Sequence, residues 1–146
     1  MDRTLPDLAA TEALAAALAA RVRPGDAILL EGDLGAGKTA FARAFLRALT
    51  NDPTLDVPSP TFTLVQTYDT PQGPVHHYDL WRLTGCGAMT ELGWDDALED
   101  IVLVEWPDRL GTLTPPHALT LTLRAETDET RAIAIHGWPG RLEDLP

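Results

Sequence analysis

Apolar positions along this chain follow first a helical period and then a strand-like one. From Asp7 to Val22, the residues Leu8, Leu14, Leu18 and Val22 recur near helical spacing on an alanine-rich background, which predicts an amphipathic helix. Pro24-Gly25-Asp26 marks a turn. Ala27 to Glu31 is a short apolar run and reads as a buried strand. A glycine-rich loop, Gly32 to Gly37, leads into a second predicted helix, Lys38 to Leu49, with Phe41, Phe45 and Leu49 four apart on one face. Asn51-Asp52-Pro53 stops that helix.

The remainder is mostly strand-like. Thr61 to Tyr68 has β-branched and aromatic character, Pro71-Gln72-Gly73-Pro74 is a turn, and Val75 to Leu80 is a further strand, so the pair predicts a hairpin. Gly85 to Gly93 reads as irregular or partly helical, and Trp94 to Leu98 as a helix. Ile101 to Glu105 is the most apolar short strand. Two alternating strands, Ala118 to Arg124 and Arg131 to His136, flank a polar segment, Ala125 to Thr130. This order predicts an α/β layered architecture, and the antiparallel-looking pairs predict a mixed rather than purely parallel sheet. The 146 residues form a single domain, 1–146, in this reading. A chain of that length buries roughly 70% of its unfolded surface and supports a core without staples.

Charge narrows the range of partners. The net charge of −11 leaves no general basic footprint for nucleic acid, so direct tRNA binding by this chain alone is not expected. One cysteine, Cys86, rules out an internal disulfide and fits a reducing cytoplasm. No basic-then-apolar leader pattern opens the chain and no apolar run reaches the ~20 residues of a membrane span, so neither secretion nor a membrane is expected. Among eleven basic residues ten are arginine, and Lys38 is the only lysine. An ammonium on a thin stem suits a tight phosphate site that a planar guanidinium would not enter.

Gly32-Asp33-Leu34-Gly35-Ala36-Gly37-Lys38-Thr39 matches the phosphate-loop pattern G-x-x-x-x-G-K-[ST] throughout, between a predicted strand and a predicted helix. Gly32, Gly35 and Gly37 let backbone N–H groups face inward as an anion nest. The helix beginning near Lys38 aims its positive end at the same point. Lys38 reaches the β and γ phosphates, and the Thr39 hydroxyl is placed to ligate a bridging Mg²⁺.

Two carboxylates fit the opposite side of such a site. Glu105 directly follows the buried strand, where a carboxylate is costly without a charge partner. Either Mg²⁺ or an arginine such as Arg109 would serve. Asp79 ends the strand Val75 to Tyr78 and reads as a second candidate to hold Mg²⁺ or as an ordinary turn or capping residue. His76 and His77 are adjacent on a strand, so they point to opposite faces and do not share one ion; one reads as sheet packing and the other as exposed. Trp81, Trp94 and Trp106 read as packing, with one of them available to cover a nucleotide or meet a partner.

The phosphate loop, Ser59-Pro60-Thr61-Phe62-Thr63-Leu64-Val65, Tyr78-Asp79-Leu80-Trp81-Arg82-Leu83 and Val104-Glu105-Trp106-Pro107 occur in that order. Together they resemble the bacterial TsaE (YjeE) family over roughly residues 5 to 110. The resemblance implies a P-loop NTPase-like three-layer sandwich with a mixed central sheet. It also implies a slow ATPase that binds ATP and Mg²⁺ and acts on two protein partners, TsaB and TsaD, in tRNA threonylcarbamoyladenosine biosynthesis. By motif position it implies Thr39 and Glu105 as metal ligands, and Lys38, Asp79, Glu105 and Thr61 as the catalytic set, with Thr61 in a mobile segment facing the γ-phosphate. Leu8, from a segment implied to lie near the adenine, joins Leu34, Gly35, Ala36, Gly37, Lys38, Thr39 and Ala40 as nucleotide contacts. Ala40 departs from the second threonine of many relatives, which removes a hydroxyl near the α-phosphate.

Two other functions share these motifs. A small-molecule kinase would need an acceptor pocket and an arginine-bearing lid, and arginine is sparse outside the first helices. A nucleotide-gated binding module would lack useful turnover.

Overall fold

A computed structural model describes residues 1–146. The first helix, α1 (Leu8–Ala19), starts where Asp7 caps it, its carboxylate accepting the Ala10 N–H at 2.9 Å. The second, α2 (Lys38–Thr50), ends at Asn51 in the left-handed conformation, φ 57°. Phe41, Phe45 and Leu49 are buried as their spacing predicts, and the two rings stack with centroids 6.4 Å apart.

Seven strands form one sheet: β1 (Asp2–Leu5), β2 (Ala27–Glu31), β3 (Val65–Thr70), β4 (Gly73–Asp79), β5 (Ile101–Glu105), β6 (Leu119–Ala125) and β7 (Arg131–His136). Their spatial order is β1-β7-β6-β2-β5-β4-β3. The centre is parallel, β6-β2-β5-β4, and the three outer pairings are antiparallel. The predicted mixed sheet is therefore present, parallel where it is buried on both faces.

Helices α1 and α2 cover one face over Ile28, Leu30, Leu103 and Leu121. The opposite face carries Leu29, Val102, Val104 and Tyr78 under a thinner layer of short pieces. These are the 3₁₀ turn Cys86–Ala88, α3 (Trp94–Ala97) and the 3₁₀ stretch Pro107–Leu113. That makes the three layers. No helix is long and apolar enough to cross a membrane.

Two readings of the sequence need correction. The predicted strand Thr61 to Tyr68 begins only at Val65 and runs on to Thr70. Its first residues turn instead: Leu64 adopts φ 68°, its N–H bonds the Pro60 carbonyl at 2.6 Å, and the Asp79 N–H takes the Leu64 carbonyl at 3.0 Å. Strand β1 was not expected. It pairs antiparallel with β7, and only Leu5 of its four residues is buried.

Candidate functional site

Strands β2, β4 and β5 are parallel neighbours, so their carboxyl ends open at one rim, where α/β sheets take their ligands. Glu31 closes β2 and the phosphate loop follows it, Asp79 closes β4 and Glu105 closes β5. Asp79 and Glu105 are register partners. Both carboxylates are buried, at 4% and 2% exposure.

The loop depends on two glycine positions. Gly32 has φ 146°, and a Cβ there would lie 2.5 Å from the Leu123 carbonyl oxygen of β6, so no side chain fits without moving that strand. Gly37 has φ 108° and caps α2 with no side-chain hydrogen bond, which leaves the first N–H groups of that helix free for an anion.

Lys38 is the first residue of α2 and is only 5% exposed. Its ammonium donates to the carbonyls of Gly32 and, at 3.1 Å, of Asp33. Its Nζ lies 3.8 Å from the centre of the Trp106 ring. Burial pushes the ammonium's pKa below the ordinary lysine value, against the opposing pull of Glu105, Asp79 and other carboxylates nearby.

Thr39, one residue on, donates its hydroxyl to Glu105 Oε1 at 3.2 Å. Glu105 Oε2 accepts from His77 Nε2 at 2.7 Å. Arg109 does not reach Glu105; it pairs with Asp108 at 2.9 Å. The arginine alternative for Glu105 is thus replaced by a histidine on the neighbouring strand. The histidines do face opposite ways: His77 is fully buried, while His76 bridges Thr67 and Asp100 and is partly exposed.

Hard oxygen donors on Thr39 and Glu105 suit Mg²⁺. Adjacent corners of its octahedron, with bonds of about 2.0–2.1 Å, lie roughly 2.9 Å apart, near the separation these two oxygens already have. No three His, Cys, Asp or Glu side chains gather into a self-sufficient cage, so a cation here would complete its shell with phosphate and water.

Asp79 makes contacts of two kinds. Its Oδ1 accepts the Trp81 N–H at 3.0 Å, a turn bond. Its Oδ2 faces the cleft and accepts from the hydroxyls of Thr61 at 3.0 Å and Ser59 at 3.4 Å. Trp81 and Trp106 pack together at the rim, ring centroids 4.4 Å apart, while Trp94 lies in the core against Tyr78.

Leu34, Gly35, Gly37, Lys38, Thr39, Ala40, Thr61, Asp79 and Glu105 all line one cavity of about 370 Å³. A second cavity of about 400 Å³ adjoins it, sharing Gly37 and Ala40, and is bounded by Asp7 and Leu8 on one side and Asp128, Glu129 and Arg131 on the other. Leu8 therefore shares the second cavity with Gly37 and Ala40 and does not line the first. Ala36 lines neither. Its methyl is buried in the core and its N–H bonds the Asp33 carbonyl at 3.1 Å. His77 and the hairpin residues Asp128, Glu129 and Arg131 are the parts of the site that motif reading missed. A larger concavity of about 610 Å³ runs along β1, β6 and β7 and reaches Gly32 and Asp33 of the phosphate loop, though neither Lys38 nor Glu105 lines it.

Known proteins resemble the chain in sequence and in fold. A family model described as threonylcarbamoyl adenosine biosynthesis protein TsaE matches residues 5–133. The chain is 35% identical to the tRNA threonylcarbamoyladenosine biosynthesis protein TsaE of Rickettsia prowazekii, over 91% of this chain and 92% of that one. It is 35% identical to the protein of that name from Bacillus subtilis, over 92% and 84%. The crystal structure of Bacillus subtilis YdiB superposes with a TM-score of 0.73 at 30% identity, covering 99% of this chain and 90% of that one. The match over nearly the whole length, in sequence and in fold, places the chain in the TsaE family of threonylcarbamoyladenosine biosynthesis proteins.

Proposed function

We propose that this chain is a Mg²⁺-dependent ATPase that supports tRNA threonylcarbamoyladenosine synthesis in the cytoplasm by acting on a complex of TsaB and TsaD. The observation that carries the reading is the Thr39–Glu105 contact of 3.2 Å, set beside a glycine cradle at the start of α2.

The free N–H groups of the loop and of α2 hold the phosphates. Lys38 exchanges the carbonyls of Gly32 and Asp33 for phosphate oxygens, a stronger partner for a buried ammonium. Thr39 and Glu105 hold the cation. When bound, the cation neutralises charge that builds on the phosphate oxygens during transfer. Asp79 Oδ2 faces the same cavity and orients the attacking water by accepting its proton in a hydrogen bond. The acidic surface and the absence of a basic stripe favour protein partners over direct tRNA contact.

The test is phosphate release measured with and without the TsaB–TsaD pair. Slow hydrolysis alone and a marked rise with the pair are expected. Faster transfer to a metabolite than to water would indicate a kinase instead. No hydrolysis under either condition would leave only a nucleotide-gated binding module.

A further inference from the structure

Between Asp79 and the core, β4 buries a histidine that the phosphate chemistry does not touch. His77 is fully buried and its register partner on β5 is Leu103, two residues before Glu105. Residues two apart share a face, so His77 and Glu105 meet diagonally on the side of the sheet that α2 covers. The contact is short, 2.7 Å between His77 Nε2 and Glu105 Oε2. The other carboxylate oxygen receives the Thr39 hydroxyl. Glu105 is thus held at one oxygen by β4 and presents the other to α2.

Partner chemistry assigns the imidazole proton. A carboxylate only accepts, so Nε2 must donate. Nδ1 is buried with no partner at all. A proton there would lack a protein acceptor, whereas a bare lone pair costs less. The tautomer carrying its proton on Nε2 fixes the carboxylate without adding a positive charge beside it.

We infer that His77 is a positioning residue for the metal-holding carboxylate. Its Nε2–H locks the Glu105 side chain so that Oε1 stays beside Thr39 and keeps its full negative charge for a divalent cation. The inference rests on the proposed role of Glu105. Partners of this kind, behind a metal ligand, commonly cost 10–100-fold in metal affinity when removed.

Three variants separate the two ideas: His77→Leu removes the donor at similar bulk, His77→Gln restores an N–H near the place of Nε2, and Glu105→Gln reports on the ligand itself. The readout is Mn²⁺ half-saturation of ADP binding, with ADP affinity in chelator as the control, so turnover is not needed. Expected are an unchanged chelator affinity, a 10–100-fold higher Mn²⁺ requirement in His77→Leu, and substantial recovery in His77→Gln. Wild-type Mn²⁺ dependence in His77→Leu, or equal loss in both His77 variants, overturns the positioning role while Glu105→Gln still shows the ligand. If Glu105→Gln also binds Mn²⁺ normally, the ligand assignment falls and the inference with it. Nitrogen correlation spectra of the metal-free wild-type protein give an independent reading that needs no variant to fold. A proton on Nε2 of His77 is expected, and one on Nδ1 alone would overturn the inference.

Discussion

The hydroxyl of Thr61 donates to Asp79 Oδ2 at 3.0 Å, tying the turn before β3 to the carboxyl end of β4. A γ-phosphate in the cavity offers that hydroxyl a competing charged acceptor that ADP lacks. This is a differential interaction of the kind that shifts a two-state segment. Each of these bonds, to the Asp79 carboxylate or to a phosphate, contributes about 1.5–3 kcal/mol, so the bias is the difference between the two. Thr61→Ala should therefore keep ADP affinity yet lose ATP-dependent association with TsaB and TsaD. ADP titration and partner capture with a non-hydrolysable ATP analogue measure the two halves. Equal capture of mutant and wild type would mean that the signal does not run through Thr61.

Lys38→Ala removes a buried ammonium whose present partners are two carbonyls and an indole face. Turnover should fall by roughly 100-fold or more, the usual scale for losing a donor aimed at transition-state charge. The thermal midpoint should not drop, because the mutation also relieves the cost of burying the charge. A folded mutant with undiminished phosphate release would refute the role given to this lysine.

Thr39→Ala and Glu105→Ala should each raise the Mg²⁺ requirement more than they weaken ADP binding in chelator. They should differ in stability. Glu105→Ala strands the buried His77 Nε2–H and should cost about 1–3 kcal/mol in urea unfolding, whereas Thr39→Ala frees only a Glu105 oxygen at the cavity wall, where water replaces the lost hydroxyl. Normal Mg²⁺ dependence in Glu105→Ala would make Asp79 the better ligand candidate.

Tyr78 predicts an alkaline limb of stability. It is 1% exposed, its hydroxyl donates to the Leu92 carbonyl at 2.8 Å, and burial pushes its pKa up to about 12. The unfolded phenol ionises near pH 10 and the folded one later. The folded state therefore holds its proton while the unfolded state loses it, and stability falls as pH rises from about 10 to 12. Unfolding free energies of wild type and Tyr78→Phe across that window should converge, because the phenylalanine variant lacks this loss. Parallel curves would show that other groups set the limb.

What the chain reveals before folding depends on how local each signal is. The phosphate loop lies within eight consecutive residues, and the strands β2 and β5 announce themselves by unbroken apolar runs. His77 does not, because its partner Glu105 lies 28 residues away and only the parallel register of β4 and β5 brings them together. The Thr61 turn is hidden for a similar reason: the β-branched composition reads as strand, and the Asp79 bond that overrides it spans 18 residues. Strand β1 is too short and too polar to show a period. The tail that motif reading left without a role is anchored by Arg141, whose guanidinium forms two bonds to Asp26, at 2.7 and 3.0 Å, in the turn that leads into β2.

The single lysine gives the molecule a built-in chemical reporter. Apart from the terminal amine, Lys38 is the only aliphatic amine in the chain, and it sits inside the phosphate cradle with its basicity lowered by burial. Any acylating reagent that marks a lysine can mark only that one. The extent of labelling at that residue, read by peptide mass so that the terminal amine is counted apart, reports how many molecules leave the loop amine accessible. By the same logic, amine coupling to a surface or a dye risks capturing the protein through its glycine loop.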